Sequence, residues 1–424
     1  MKSALGGTHA AALLLLMLSS TWLPAQPTST AVPFKLSLQE ATEILLRQSP
    51  TLKAAQQNVA MAKGNLAQAK LRPNPEVGLN ASSVQLFGVS PGSTLGNNAE
   101  LAPQIEQTIE TAGKRRKRSQ VAGQEVSISQ SEFENVVRQL KLELKRRYFT
   151  VVLARAQEEL AQGNLNQFDG IIRLSEARYE QGEISGLELT RIRTERLRFF
   201  NDLIDAQLQL RTGKIALLEL LGYSNLGADF EVTGTLTPFR LQLSLEELQE
   251  SAAAARPDLM SQRQQVERGR LLVEYEKALA VPNITPFAGY NRNFGINTVA
   301  FGISIPLPLF NRNQGGTARA AAEQEQQRHE LTRASLAVRR DVQEAFQTLQ
   351  LQRERVGALE AEYVPGAQRA RNIAQESYRL GSLDLIAFLD AQRVYRDTLR
   401  AYNQALFDYR ATISQLEAAT GREF

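Results

Sequence analysis

Few side chains in this sequence are equipped for chemistry. Its 424 residues contain no cysteine and two histidines, His9 and His329. Thiolate metal sites, disulfides and a lipid-accepting cysteine are therefore excluded, as is a centre built from several imidazoles. His329 falls in "EQEQQRHEL", where the surface of a helix is the expected place for it. No carboxylate cluster has the spacing of a metal cage, and no nucleophile is matched with a general base. The expectation is a protein that is not an enzyme, holds no cofactor and has no metal site. What remains is charge in particular places. "KRRKR", comprising Lys114, Arg115, Arg116, Lys117 and Arg118, reads either as a nucleic-acid patch or as a membrane-proximal cluster. Asp390 lies in the otherwise apolar "LIAFLDA", with Arg393 three residues on as a helical partner. Glu188 follows Gly182 by six residues.

Those acidic residues sit beside a repeated glycine pattern. Tyr179, Gly182 and Gly186 in "YEQGEISGLEL" are echoed by Tyr378 and Gly381 in "YRLGSLDLIAFLD", which also holds Asp384. The offset is 199 at both the tyrosine and the first glycine, and 199 again from Gly222 to Gly421. Farther upstream, "SLQEATEILLRQSPTL" from Ser37 returns as "SLEELQESAAAARPDL" from Ser244, an offset of 207. Each copy opens on a serine with a glutamate three or four residues on, as a capped helix start does. A unit of roughly 200 residues is far longer than a solenoid repeat and points to an intramolecular pseudo-twofold.

The elements that must carry these residues are long helices and short strands. Phe133, Val137, Leu140, Leu144, Tyr148 and Val151 step by three or four, and so do Val338, Val342, Ala345, Leu349, Gln352, Val356 and Leu359. Leu203, Ala206, Leu210, Gly213, Leu217 and Leu220 repeat the seam after the first glycine pair. Leu399, Tyr402, Leu406, Tyr409, Ile413 and Leu416 repeat it after the second. This is coiled-coil spacing. No proline interrupts the chain between Pro103 and Pro238, and a helix from about Arg118 to Gln181 would be on the order of 95 Å long.

Between the helical stretches the period changes from near 3.5 to 2. "VAFGISIPLPLF" places Val299, Phe301, Ile303, Ile305, Leu307 and Leu309 on one face, against Ala300, Gly302, Ser304, Pro306 and Pro308. "NITPFAGYNRNFG", "ELAPQIEQTI" and "NPEVGLNASS" alternate less cleanly, giving two hairpins and four strands of about ten residues each. Strands of that length cross a bilayer when tilted, and they also suit a soluble hairpin buried against helices.

The N-terminus reads as an export signal, with Lys2, an apolar run from Ala10 to Leu18 and a cut after Ala25. Past it, no apolar stretch is long enough for a transmembrane helix. Formal net charge is +4, too small to imply a nucleic-acid partner.

From about Ser37 to Gly421 the chain resembles the TolC-like outer membrane factors. The residues that carry the resemblance are the two "SL" openings, "LRPNPEV", "AVPNITPFAGY", "ISIPLPLFNRNQGG", the two Tyr-x-x-Gly turns and the closing glycines. "QTIETAGKRRKR" looks like the signature of the heavy-metal branch, and "FLDAQR" is similar to a stretch common in factors serving resistance–nodulation–division (RND) pumps. Thr111-Ala112 departs from it, standing where many metal-type relatives have a second glycine. The resemblance implies a mostly α fold with a membrane β-barrel portion, in which long coiled-coil helices form a trimeric α-barrel tunnel. Four strands per chain would complete a twelve-stranded barrel.

The implied organisation is a signal peptide over 1–25, then an N-terminal linker, equatorial helix and first long helix over 26–72. Transmembrane β-hairpins follow over 73–113 and 281–315. Tunnel hairpins occupy 114–222 and 316–424, with an equatorial segment and the start of the second repeat over 223–280. The implied function is a passive exit duct that works with a periplasmic adaptor and an inner-membrane RND transporter, for heavy-metal cations or instead for organic compounds or secreted proteins. A soluble periplasmic scaffold is the reading from another class. Tyr179, Gly182, Gly186, Tyr378, Gly381 and Asp384 would form the helix turns that dock the adaptor. Glu188 and Asp390 would line the entrance, and the basic cluster would meet lipid headgroups rather than nucleic acid.

Overall fold

The computed structural model describes residues 35–82, 100–237, 244–293 and 296–424. The export segment, the loop "GVSPGSTLGNN" and Phe294 lie outside them. The first half runs β1 (Lys35–Leu36), α1 (Leu38–Gln48), α2 (Pro50–Ala69), β2 (Glu76–Ser82), β3 (Glu100–Glu106), α3 (Lys114–Glu180) and α4 (Gly186–Leu221). The second half opens with β4 (Glu231–Val232), α5 (Leu245–Ala255), α6 (Pro257–Leu279), β5 (Thr285–Asn293) and β6 (Ile296–Ser304). It closes with α7 (Gln314–Ala358), a π-helical turn (Leu359–Tyr363), α8 (Val364–Arg379) and α9 (Leu385–Thr420).

Both expected helix starts form complete capping boxes. The Ser37 and Ser244 hydroxyls accept the N–H three residues on, and Glu40 and Glu247 reach back to the cap N–H. Pro50 and Pro257 then open α2 and α6, where a missing N–H costs nothing. α3 is one helix of 67 residues, roughly 100 Å at 1.5 Å per residue. Its counterpart is broken. Pro365 has no N–H and crowds the carbonyl four residues back, inside the π turn that separates α7 from α8. The seam from Val338 to Val356 lies unbroken in α7, and only its last residue, Leu359, falls at the break.

The four-stranded sheet has the order β2-β3-β5-β6, antiparallel throughout, with one edge of β2 and one of β6 unpaired among the described residues. Register places Val77 against Ile105, Ala288 against Phe301, Tyr290 against Val299 and Pro286 against Ile303. Ile105 in turn pairs with Ala288. The apolar residues therefore share one face, as the alternation requires. The strands are seven and nine residues rather than ten. The run to Leu309 stops being strand at Ser304, because Pro306 and Pro308 cannot donate to a ladder.

Among the described residues packing is divided into three cores. Leu45, Leu144, Tyr148, Val151, Leu217, Leu221 and Phe230 form one, where α1, α3 and α4 meet. Leu248, Leu259, Val338, Val342, Tyr409, Ile413 and Leu416 form the equivalent core of the second half. Leu236, on the linker between the halves, packs against both. The third core lies at the far end of the helices and is drawn from both hairpins. The sequence reading gave each hairpin its own seam and did not foresee this shared core.

Candidate functional site

The two glycine turns are built alike. Gly182 (φ 75°) and Gly381 (φ 73°) are left-handed, a conformation that costs an L-residue about 1–2 kcal/mol. Each ends a helix with the same pair of hydrogen bonds. Glu183 N–H donates to Arg178 O (2.9 Å) and Gly182 N–H to Tyr179 O (3.0 Å). Ser382 N–H donates to Ser377 O (2.9 Å) and Gly381 N–H to Tyr378 O (3.1 Å). These bonds satisfy carbonyls that a helix end leaves open. The returning helices are then capped by Ser185, which accepts Glu188 N–H (3.1 Å), and by Asp384, which accepts Ala387 N–H (2.7 Å). Gly186 is different from its expected role. It is the first residue of α4, its φ is not positive, and Leu385 occupies the equivalent place in the second copy.

The equivalent tyrosines also diverge. Tyr179 is exposed, whereas Tyr378 is 1% exposed and stacks on Phe388 at 5.0 Å. The Tyr378 hydroxyl donates to Glu188 Oε1 (3.2 Å), and its carbonyl accepts Arg178 Nη1 (3.2 Å). Arg178 also lies 5.6 Å from the ring centroid. Burial holds the Tyr378 phenol above the ordinary tyrosine range. So the tyrosine of the second hairpin is the plug that joins the two tips, among Phe168, Ile192, Phe199, Leu385 and Phe388.

Sequence reasoning missed Arg178 and the buried Arg396, which reaches Asp202 (3.4 Å) and Asp397 (3.1 Å) under Phe199. Arg396 stands three residues before the seam residue Leu399, and that charge in an apolar seam was the available signal. Glu188 is half-buried and engaged with Tyr378. Asp390 is exposed on α9 and bonded to Arg393 (2.6 Å), whose guanidinium it holds above the usual range.

At the other end of the helices, the "KRRKR" cluster is not one surface. Lys114 is buried, and its ammonium donates to Val281 O and Asn283 Oδ1, both at 2.5 Å. Burial pushes its pKa down, against the attraction of Glu110. Arg118 binds Glu110 and donates to Ala69 O (3.1 Å) and Leu71 O (3.0 Å). Lys114, with Thr111 Oγ1 donating to Pro282 O (2.5 Å) and the Ile109–Ile284 bridge, locks the first strand pair to the second, whereas Arg118 ties α3 to the end of α2. Both are therefore structural, because each finds carbonyl partners only in the folded joint. Arg115 and Arg116 are exposed and Lys117 half-exposed. Ala112 (φ 53°) and Gly113 (φ 69°) turn the chain here, so the position where related chains were expected to carry glycine is left-handed.

Midway along the helices, Arg256 is 6% exposed between Asp258 (2.5 Å) and Asp341 (2.9 Å). Burial alone would raise the Asp258 pKa, but the hydrogen bond and charge of Arg256, with Arg138, hold it below the usual carboxylate range. Among the described residues no helix is apolar and long enough to cross a membrane, and no His, Asp or Glu cluster could hold a metal ion.

A family model described as "Outer membrane efflux protein" matches residues 42–223 and 248–422. The chain is 26% identical over 377 residues to the cobalt-zinc-cadmium resistance protein CzcC of Cupriavidus metallidurans, covering 88% of this chain and 87% of that protein. It is also 26% identical over 406 residues to the pyoverdine export outer membrane protein OpmQ of Pseudomonas putida, covering 90% and 84%. The solved structure of CusC superposes with a TM-score of 0.75 at 20% identity, covering 91% of this chain and 92% of that one.

Proposed function

The chain belongs to the outer membrane efflux protein family, whose members are channels rather than enzymes, and from that premise we propose a specific assembly. Three copies form one duct, each contributing four strands to a twelve-stranded barrel and two helical hairpins to a periplasmic tunnel. The observation that carries this reading is the sheet. Val77 and Phe301 are each 79% exposed, on a face that also bears Leu79, Val299 and Ile303. Among the described residues its two outer edges are open, and an open edge in lipid leaves each N–H and C=O unsatisfied at several kcal/mol. Pairing β2 of one copy with β6 of the next removes those edges. Leu197, Phe200, Ile204, Leu208 and Ile215 form a second exposed stripe along α4, which suits contact between copies in the tunnel.

The duct opens at the two fused tips, where Gly182 and Gly381 set the turns that meet a periplasmic adaptor, and Asp390 faces the entrance. The adaptor couples it to an inner-membrane RND transporter. "QTIETAGKRRKR" and the likeness to a cobalt-zinc-cadmium resistance protein favour metal cations as substrate. The likeness to a pyoverdine exporter supports an organic substrate as the second reading. Washing membranes in high salt and then extracting them with detergent tests the assembly. The chain should resist the salt, and crosslinking of the extract should end at trimer. Release by salt would favour a soluble scaffold, and crosslinking that ends at dimer would refute the barrel. Loss of zinc or cobalt tolerance on gene deletion would support metal traffic.

A further inference from the structure

A cavity of roughly 540 Å³ lies below the apolar face of the sheet, walled by Arg72, Pro73, Gln107, Ile109, Arg115 and Arg116. The amide nitrogen of Gln107 and the carboxylate of Glu110 are already engaged. Gln107 Nε2 donates to Pro73 O (2.9 Å) and to Thr108 O (3.1 Å), and Glu110, which also lines the cavity, is bonded to Arg118. Arg72, Arg115 and Arg116 have no acidic partner among the described residues. Three arginines therefore line a space whose one carboxylate is already taken. Arginine recognises phosphate through paired donors, so a phosphate monoester or diester fits better than a lone carboxylate.

The surroundings narrow the source of that phosphate. Ile109 is 52% exposed in the cavity wall, and the cross-strand pair Val77 and Ile105 continues the same apolar face above it. An occupant with an anionic head and hydrocarbon tails satisfies both surfaces, whereas free phosphate uses only one. We infer that this cavity binds the headgroup of an anionic phospholipid whose acyl chains lie along Val77, Ile105 and Ile109. The inference rests on the membrane reading above. It also separates the basic cluster into two jobs. Lys114 holds the two strand pairs together and Arg118 ties α3 to the end of α2, while Arg115 and Arg116, joined by Arg72 from the α2–β2 connection, hold lipid.

The test uses the full chain purified in non-ionic detergent, titrated with dioleoylphosphatidylglycerol or dioleoylphosphatidylcholine and read by native mass spectrometry. The wild type should retain phosphatidylglycerol selectively, less so as salt rises. Each basic side chain near a membrane surface contributes roughly fivefold, so R72Q/R115Q/R116Q should weaken retention about a hundredfold. Arg292→Gln, at the opposite end of β5, should leave it unchanged. Equal retention of the two lipids, or undiminished retention in the triple variant, would overturn the inference. Displacement by inorganic phosphate would make this an anion site without lipid preference. Loss of trimers in the triple variant with no wild-type lipid preference would mean that the next copy fills the cavity. A wild-type chain that stays a water-soluble monomer would overturn the membrane reading itself, and this inference with it.

Discussion

Gly381 and Gly421 offer a matched pair of perturbations. Both end a helix in left-handed conformation, at φ 73° and 71°, with a bond from the next N–H to the carbonyl five residues back. Replacing either by valine carries the same backbone cost of about 1–2 kcal/mol, at the upper end for a β-branched residue. Their surroundings differ. A Cβ at Gly381 meets only the Arg178 Nη2 atom, at 3.5 Å. A Cβ at Gly421 stands 3.1 Å from Ala255 O and 3.2 Å from Ala255 C, backbone atoms of the α5–α6 joint that cannot swing aside. Overpacking of that kind adds about 1–3 kcal/mol.

Gly381→Val should therefore disturb one turn, by a factor of about 5–30 in its native population at about 1.4 kcal/mol per tenfold. Gly421→Val should disturb the packing of α5, α6 and α9. The assay has two arms: the heat stability of crosslinked trimers, and resistance conferred by the cognate pump in a host lacking its own duct. Gly381→Val is expected to keep wild-type trimers and lose resistance, whereas Gly421→Val loses trimers first. Equal trimer loss in both variants would refute the steric reasoning, and normal resistance in Gly381→Val would refute the docking role of the tip.

Asp390→Asn should lower cation preference in planar-bilayer recordings with trimers intact, and Arg393→Gln, which frees the carboxylate, should raise it. Unchanged selectivity in both would place Asp390 on the solvated outer surface. Asp258 has a depressed folded pKa, so its stabilising contribution is present above the unfolded value near 3.8 and is lost as pH falls through the folded value. Thermal scans should show Asp258→Asn less stable than wild type at neutral pH, with the gap closing below about pH 3.8. Ala112→Gly relieves a left-handed alanine and should stabilise the chain by about 0.5–1 kcal/mol after the entropy of the added glycine. A drop in denaturation midpoint would show that the alanine methyl is needed in that joint.

The sequence by itself determined the elements whose signals are local. Ser37 and Ser244 start helices because a hydroxyl and a following glutamate satisfy helix N–H groups wherever the chain goes next. Gly182, Gly222, Gly381 and Gly421 stop helices because only glycine reaches left-handed φ without strain. Val299, Phe301 and Ile303 share a face because a strand has period two.

Tertiary structure decided what becomes of equivalent positions in the two halves. Tyr179 and Tyr378 occupy the same place in the repeat, yet one is exposed and the other is buried between the tips. Their difference lies in which hairpin packs inward, a fact of packing across about 200 residues that no spacing encodes. Lys114 and Arg118 look like neighbours in a charged run, but their carbonyl partners at Val281 and Ala69 come from elements distant in sequence. Only folding turns those two inward and leaves Arg115 and Arg116 facing the cavity.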